Sequence, residues 1–189
     1  MGKIINLLEY IDTPFLINGI KFDIRLYVLI TSIDSLKIYI FEDGIVNFAT
    51  VKYTNDAQHT NNRLMHLTSY SINKINPDFK ANCPQDGYNG HKWSLATLWQ
   101  YLREVEGVDI RTLWEQTKDI CVKTIMCGHK HIQREFTSKV ESDYNCYKLL
   151  GFDILYDCNL KPWLLEVIII NLQILKRKFY QGQYQTINA

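Results

Sequence analysis

Two carboxylates, Asp153 and Glu166, stand inside residues 147–167, two mostly apolar runs joined by a turn-forming Asp157-Cys158-Asn159. The pattern predicts two antiparallel strands joined by a turn centred near Cys158 and Asn159. Side chains alternate along a strand, so this turn sets Asp153 roughly opposite Glu166 and places Leu155 and Leu164 on the same face of the pair. An acid inside an apolar strand is costly to bury unless it is paired or metal-bound. Two readings follow. The pair offers hard oxygen ligands to a divalent cation beside phosphate, or it consists of edge carboxylates salt-bridged to Lys or Arg.

A second charged row lies near the N-terminus. From Phe15 to Ser32, after an Asn18-Gly19 turn, Phe22, Ile24, Leu26, Val28 and Ile30 alternate with Lys21, Asp23, Arg25, Tyr27 and Leu29. A period of two with one unbroken apolar side predicts a strand whose first face is core and whose second carries charge. At a strand rise of roughly 3.3 Å per residue, Lys21, Asp23 and Arg25 fall within about 14 Å of each other. Two cations flanking one anion suit a polyphosphate; the alternative is a solvated, self-neutralising strand face. Arg suits phosphate because its planar donors stay charged.

These rows need elements to position them. Leu36 to Phe41 reads as a further strand, and Glu42-Asp43-Gly44 as a turn into another over Ile45–Tyr53, so a small antiparallel meander is expected. Residues 75–92 are dense in Pro, Gly, Asn and Asp and predict a long loop. Ser94 is placed to cap a helix with Leu95, Leu98, Trp99 and Leu102 on one stripe, ending before Gly107. A second helix is expected from about Asp109 to Cys127, burying Ile110, Leu113, Thr117, Ile120, Cys121 and Ile125. The run Cys127-Gly128-His129-Lys130-His131 carries zinc-ligand residue types. Lys130 puts a cation among them and no second cluster closes a tetrahedral site, which favours a polar helix end followed by a loop over 132–145.

Composition sets outer bounds. With 189 residues and 47% hydrophobic content the chain can build a core. Its 21 basic and 20 acidic residues leave a net charge of +1, which argues against a general nucleic-acid grip. Five cysteines, at positions 83, 121, 127, 146 and 158, have no paired CxxC spacing and are expected as reduced thiols. No stretch reaches about 18 apolar residues, and Glu9 and Asp12 spoil a secretory signal, so the expectation is a cytoplasmic chain without a membrane segment. Residues 1–14 read as a connector, 15–170 as the folded part, and 171–189, with its Gln-rich end, as a disordered tail.

Four separated blocks carry a resemblance: Lys21-Phe22-Asp23-Ile24-Arg25-Leu26-Tyr27-Val28, the run Met65 through Lys74, Gly151-Phe152-Asp153-Ile154-Leu155, and Leu160 through Val167. In this order they resemble the tubulin tyrosine ligase-like family of ATP-grasp enzymes. The His91-Lys92-Trp93-Ser94 helix start is similar to the glutamate-adding (polyglutamylase) branch. The resemblance implies an α+β fold, the C-terminal part of an ATP-grasp domain with an antiparallel sheet and flanking helices. It implies ATP and Mg2+ as cofactors, free glutamate as co-substrate, tubulin C-terminal tails or microtubules as partners, and a cytoskeletal location. ATP would phosphorylate a glutamate carboxylate on tubulin, and the amine of the incoming glutamate would attack the acyl phosphate.

The site roles are likewise implied by resemblance: Lys21, Asp23 and Thr68 beside the nucleotide, Arg25 at the terminal phosphate as the catalytic cation, Asp153 and Glu166 on magnesium. His66, taken from its residue type alone, is expected to be a hydrogen-bonded structural histidine. Three positions depart from the family pattern: Asn47 stands where an Arg is usual, Ser69 replaces an Asn, and Ile168 occupies the place of an Asn metal ligand. These departures, and the lack of a counterpart to the family's upstream half before residue 10, raise the alternative of a catalytically inactive fragment that binds tubulin or another partner.

Overall fold

The computed structural model describes residues 10–56, 59, 61–80, 88, 90–139 and 147–170. The expected tail at 171–189, the first nine residues of the connector, Cys83, Cys146 and most of the loop at 81–89 lie outside the described residues.

The Asn18-Gly19 turn joins β1 (Leu16–Ile17) to β2 (Ile20–Ser32), and both turn residues adopt positive φ, 54° and 77°. The expected alternation of β2 is realised. Ile24, Leu26 and Val28 are fully buried on one face and Ile30 nearly so. β3 (Lys37–Phe48) then pairs antiparallel with β2. Here the chain departs from the expected turn: Glu42-Asp43-Gly44 lies inside one continuous strand. The register steps from Leu26↔Gly44 to Val28↔Ile40, so surplus residues of β3 bulge out of the ladder. The Asp43 carboxylate accepts from its neighbour Gly44 N (2.8 Å) and from Ala96 N (3.2 Å), which gives the bulge its polar partners without breaking the strand. Gly44 is also required by space: a Cβ there would lie 2.6 Å from the Arg25 carbonyl oxygen.

Two short helices follow, α1 (Arg63–His66), capped by the Asn62 side chain, and α2 (Tyr70–Asn73). β4 (Lys92–Ser94) pairs with β3, and Ser94 caps α3 (Leu95–Glu104) as expected, its Oγ accepting from Thr97 N at 3.0 Å. Gly107 adopts a φ of 66° beyond the helix end. α4 (Ile110–Lys139) buries Leu113, Thr117, Cys121 and Ile125. It runs well past Cys127, so the Cys127 to His131 run sits mid-helix rather than at a helix end, and residues 132–139 are helical rather than loop. His129 Nε2 bonds the Ile33 carbonyl (2.7 Å), and Gln133 donates to Asp34 (3.2 Å). These contacts with the β2–β3 turn hold the extra turns of helix.

β5 (Lys148–Tyr156) and β6 (Pro162–Ile169) complete a six-stranded antiparallel sheet ordered β4-β3-β2-β5-β6, with β1 beside β2. The sheet is therefore not a simple meander, because β2 sits at its centre and receives the late strand β5 on its free edge. α3 and α4 cover one face. Their apolar stripes meet Ile24, Leu26, Val28, Phe152, Ile154 and Tyr156 in a single core. One polar contact crosses it: the buried Tyr156 hydroxyl meets Thr117 Oγ1 at 2.8 Å, and Thr117 in turn donates to the Leu113 carbonyl. The architecture is α+β, as expected. Among the described residues, no helix is long and apolar enough to cross a membrane.

Candidate functional site

The face of the sheet away from the core helices carries the charges, and the strand register brings them together. Arg25 on β2 is the cross-strand partner of Asp153 on β5, and Asp153 is the partner of Glu166 on β6. Directly opposite residues in an antiparallel pair project to the same face. Arg25, Asp153 and Glu166 thus form one row across three adjacent strands, although 128 positions separate the first two in sequence. Leu155 and Leu164, expected on the same face of the pair, lie on opposite faces. A bulge beside Asp153 shifts the register, so Ile154 faces Leu164 and Leu155 faces Trp163. Leu164 therefore packs toward the core side, while Leu155, two residues from Asp153, shares the charged face.

The salt-bridge reading of the carboxylates is realised at Asp153. The Arg25 guanidinium forks onto Asp153, Nε donating to Oδ1 and Nη2 to Oδ2 (2.7 Å for the latter). This bond holds the guanidinium more firmly protonated than usual, against the opposing effect of burial. With 26% and 16% of their side chains exposed, Arg25 and Asp153 remain reachable from solvent. Glu166 is exposed on the edge strand. Asp153 and Glu166 supply two hard oxygen donors side by side, a set that fits Mg2+, which takes one or two carboxylates and completes its shell with water and phosphate. Among the described residues, no three His, Cys, Asp or Glu side chains gather into a metal cage.

Asp23 lies two residues before Arg25 on the same face. Its carboxylate accepts from the Thr68 hydroxyl and, at 3.4 Å, from Asn47 Nδ2. Burial, helped by the nearby negative charge of Asp153, pushes its pKa up to about 6, while the Thr68 and Asn47 hydrogen bonds and Arg25 oppose the rise. Asn47 is the cross-strand partner of Asp23, and Lys92 on β4 is the partner of Asn47. A second row, Asp23, Asn47 and Lys92, therefore runs beside the first. Lys92 is a residue that sequence reasoning missed; its signal, a cation in a three-residue strand, is too short to read.

Lys21 points elsewhere along the same face. Its ammonium is buried and donates to Tyr10 Oη (3.2 Å) and the His66 carbonyl (3.1 Å), and burial lowers its pKa. The His66 ring is held between Tyr10 Oη (2.9 Å at Nδ1) and the His59 carbonyl (3.2 Å at Nε2), the structural role expected of it. Thr68 is placed by Asn73, which no residue pattern marked out. The fully buried Asn73 amide donates to the Leu67 and Ser69 carbonyls (2.7 and 3.2 Å) and accepts from Thr50 N and Oγ1 (3.1 and 2.9 Å). Its two donors are used on either side of Thr68 and its acceptor on Thr50, which ties the Thr68 segment to the end of the β3 strand and fixes that hydroxyl against Asp23.

The departures from the family pattern also have places. Ile168 is opposite Gly151 on the charged face, two residues beyond Glu166, and Ser69 is exposed with its hydroxyl 2.9 Å from that of Ser71. The Cys127 to His131 run lies remote from both rows on α4, and the thiols of Cys121, Cys127 and Cys158 are free.

Comparison with known proteins adds the following. A family model described as the tubulin-tyrosine ligase family matches residues 7–170. Tubulin monoglutamylase TTLL4 of Mus musculus is 46% identical over 161 residues, covering 85% of this chain and 13% of its own length. Tubulin polyglutamylase TTLL5 of Homo sapiens is 43% identical over 160 residues, 84% of this chain and 12% of that protein. A probable beta-tubulin polyglutamylase of Tetrahymena thermophila is 40% identical over 164 residues, 84% of this chain and 14% of its own. The chain thus spans only 12–14% of the length of these relatives.

Proposed function

Because the chain belongs to the tubulin-tyrosine ligase family, we propose that its charged face is the Mg2+–ATP side of an ATP-dependent ligase that adds glutamate to tubulin C-terminal tails. The observation that carries the reading is the row Arg25, Asp153, Glu166, which the register assembles on an open face from three strands. In this reading Asp153 and Glu166 hold magnesium, Arg25 meets the terminal phosphate, and Lys21, Asp23 and Thr68 line the nucleotide. Bound magnesium supplies charge neutralisation on the phosphates. The chain's own residues supply position and electrostatics, the main protein contribution to phosphoryl transfer. Asp23, hydrogen-bonded to Thr68 and Asn47, keeps the floor of the site polar. Such an enzyme works in the cytoplasm, at microtubules.

A second reading is a tubulin-binding or partner-binding module without chemistry. It is favoured by Ile168, whose aliphatic side chain stands on the metal face where an amide would coordinate, and by Asn47, which sets an amide rather than a guanidinium against Asp23. Titration with a fluorescent ATP analogue, with and without Mg2+, separates the two, followed by radiolabelled-glutamate incorporation on microtubules by the chain in its natural full-length context. Magnesium-dependent nucleotide binding that Asp153→Asn abolishes is the expected result. Tubulin binding with no nucleotide affinity would establish the module instead.

A further inference from the structure

Arg25 answers Asp153 in this fold, whereas the nucleotide reading sends its guanidinium to a phosphate. Both its Nε and Nη2 are committed to Asp153, one to each carboxylate oxygen. A cation approaching Asp153 meets a carboxylate whose charge is already answered. The stem of Arg25 is seated in a slot made by an absent side chain. A Cβ added to Gly151 would lie 3.0 Å from Arg25 Cδ, 3.0 Å from Ile168 Cγ1 and 3.3 Å from Ile170 Cδ1. Gly151 is therefore the floor on which the arginine lies, and Ile168 is an apolar wall beside it, unable to ligate a metal or to draw the guanidinium off Asp153. The slot holds the stem while the head stays partly open to solvent.

Removing Arg25 without a replacement would leave Asp153, already in electrostatic contact with Asp23, without the guanidinium that answers its charge. We propose that Arg25 is the resident counter-ion of the carboxylate pair, seated by Gly151 and walled by Ile168, so that a divalent cation enters only together with a phosphate that takes the guanidinium in exchange. The inference rests on the nucleotide reading above. The exchange conserves local charge: the metal replaces the guanidinium on Asp153, and the phosphate replaces Asp153 on the guanidinium. Gly151 and Ile168 act as positioning residues, through Arg25.

The test measures Mn2+ binding to the full chain by electron paramagnetic resonance of the free ion, with and without a non-hydrolysable ATP analogue. Melting curves establish that each variant is folded. The wild type is expected to bind Mn2+ at least about tenfold more tightly with the analogue than alone, a coupling of ordinary size. Arg25→Gln should gain about tenfold in affinity for Mn2+ alone and lose most of the dependence on the analogue. Gly151→Ala, which crowds the arginine stem without changing any charge, should move in the same direction by a smaller factor, as should Arg25→Lys, which keeps the charge and loses the fork. If Arg25→Gln fails to fold, these two variants decide. Equal Mn2+ affinity of the wild type with and without analogue, or no gain in any of the three variants, overturns the proposal. No analogue binding by the wild type in the presence of Mn2+ refutes the nucleotide reading separately, and a gain in Arg25→Gln for Mn2+ alone would still show Arg25 acting as the counter-ion.

Discussion

Ile168→Asn places an amide oxygen on the face proposed to hold the metal, and its expected effects on stability and on binding run in opposite directions. Ile168 is half-buried, with Cγ1 3.0 Å from where a Cβ on Gly151 would stand. Losing about half of a buried Ile contributes roughly 1 kcal/mol of destabilisation. The poorer strand propensity of Asn adds up to about 1 kcal/mol on an edge strand. The variant should therefore melt roughly 2–8 °C lower, at about 2–4 °C per kcal/mol for a chain of this size. Against this, the new oxygen stands on the same face as Glu166 and two residues beyond it, beside the Asp153–Glu166 pair. Loss of even an outer partner of a metal ligand costs about 10–100-fold in affinity, so a gained ligand should tighten Mg2+–nucleotide binding by at least about tenfold. A fluorescent ATP analogue titrated at several Mg2+ concentrations measures this directly. The gain must vanish in EDTA. An affinity unchanged by the substitution, or raised equally without Mg2+, would refute the placement of the metal between Asp153 and Glu166.

Three further outcomes are expected. Thr117→Val should cost about 1–3 kcal/mol in urea unfolding, because the buried Tyr156 hydroxyl loses its acceptor; Tyr156→Phe should cost less, since Thr117 still donates to the Leu113 carbonyl, and the reverse order would contradict the assigned geometry. Asp23 has a folded pKa of about 6 against an ordinary 3.8, so the folded chain binds the proton more tightly and its contribution to stability is present below pH 3.8 and lost as pH rises through 6. Relative to Asp23→Asn, the wild type should thus lose about 1–3 kcal/mol between about pH 4 and 7.5, and parallel pH profiles for the two proteins would exclude the shift. Gly44→Ala drives a Cβ to 2.6 Å from the Arg25 carbonyl oxygen and should destabilise by about 1–3 kcal/mol; a cost under about 0.5 kcal/mol would mean that the bulge relaxes freely.

Much of the sheet was legible in the residues themselves. The alternation from Lys21 to Ile30 separates core from charge because strand side chains take turns between two faces, and β2 realises it residue by residue. The turn at 158–159 brings Asp153 close to Glu166 along the facing strand, and the bulge beside Asp153 then sets the two directly opposite. Ser94 as a helix cap and the apolar stripe of α4 follow from local hydrogen-bonding needs and from the helical period. The chain's family membership is also carried by sequence, because its motif blocks keep their order and composition whatever the coordinates.

Tertiary structure decided what depends on partners distant in the chain. The bulges beside Gly44 and Asp153 leave no sequence period to count, since a single extra residue is tolerated only when the facing strand and its hydrogen bonds accept it. α4 continues past Cys127 because His129 and Gln133 find the turn at Ile33 and Asp34, nearly a hundred residues earlier. The site is governed in the same way. A charged strand face is equally a phosphate row or a solvated surface until its neighbours are known, and here Arg25 turns to Asp153, Lys21 to Tyr10 and His66, and Asp23 to Thr68. Charge and residue type are local properties written in the chain; the counter-ion each charge selects depends on which strands the fold sets side by side.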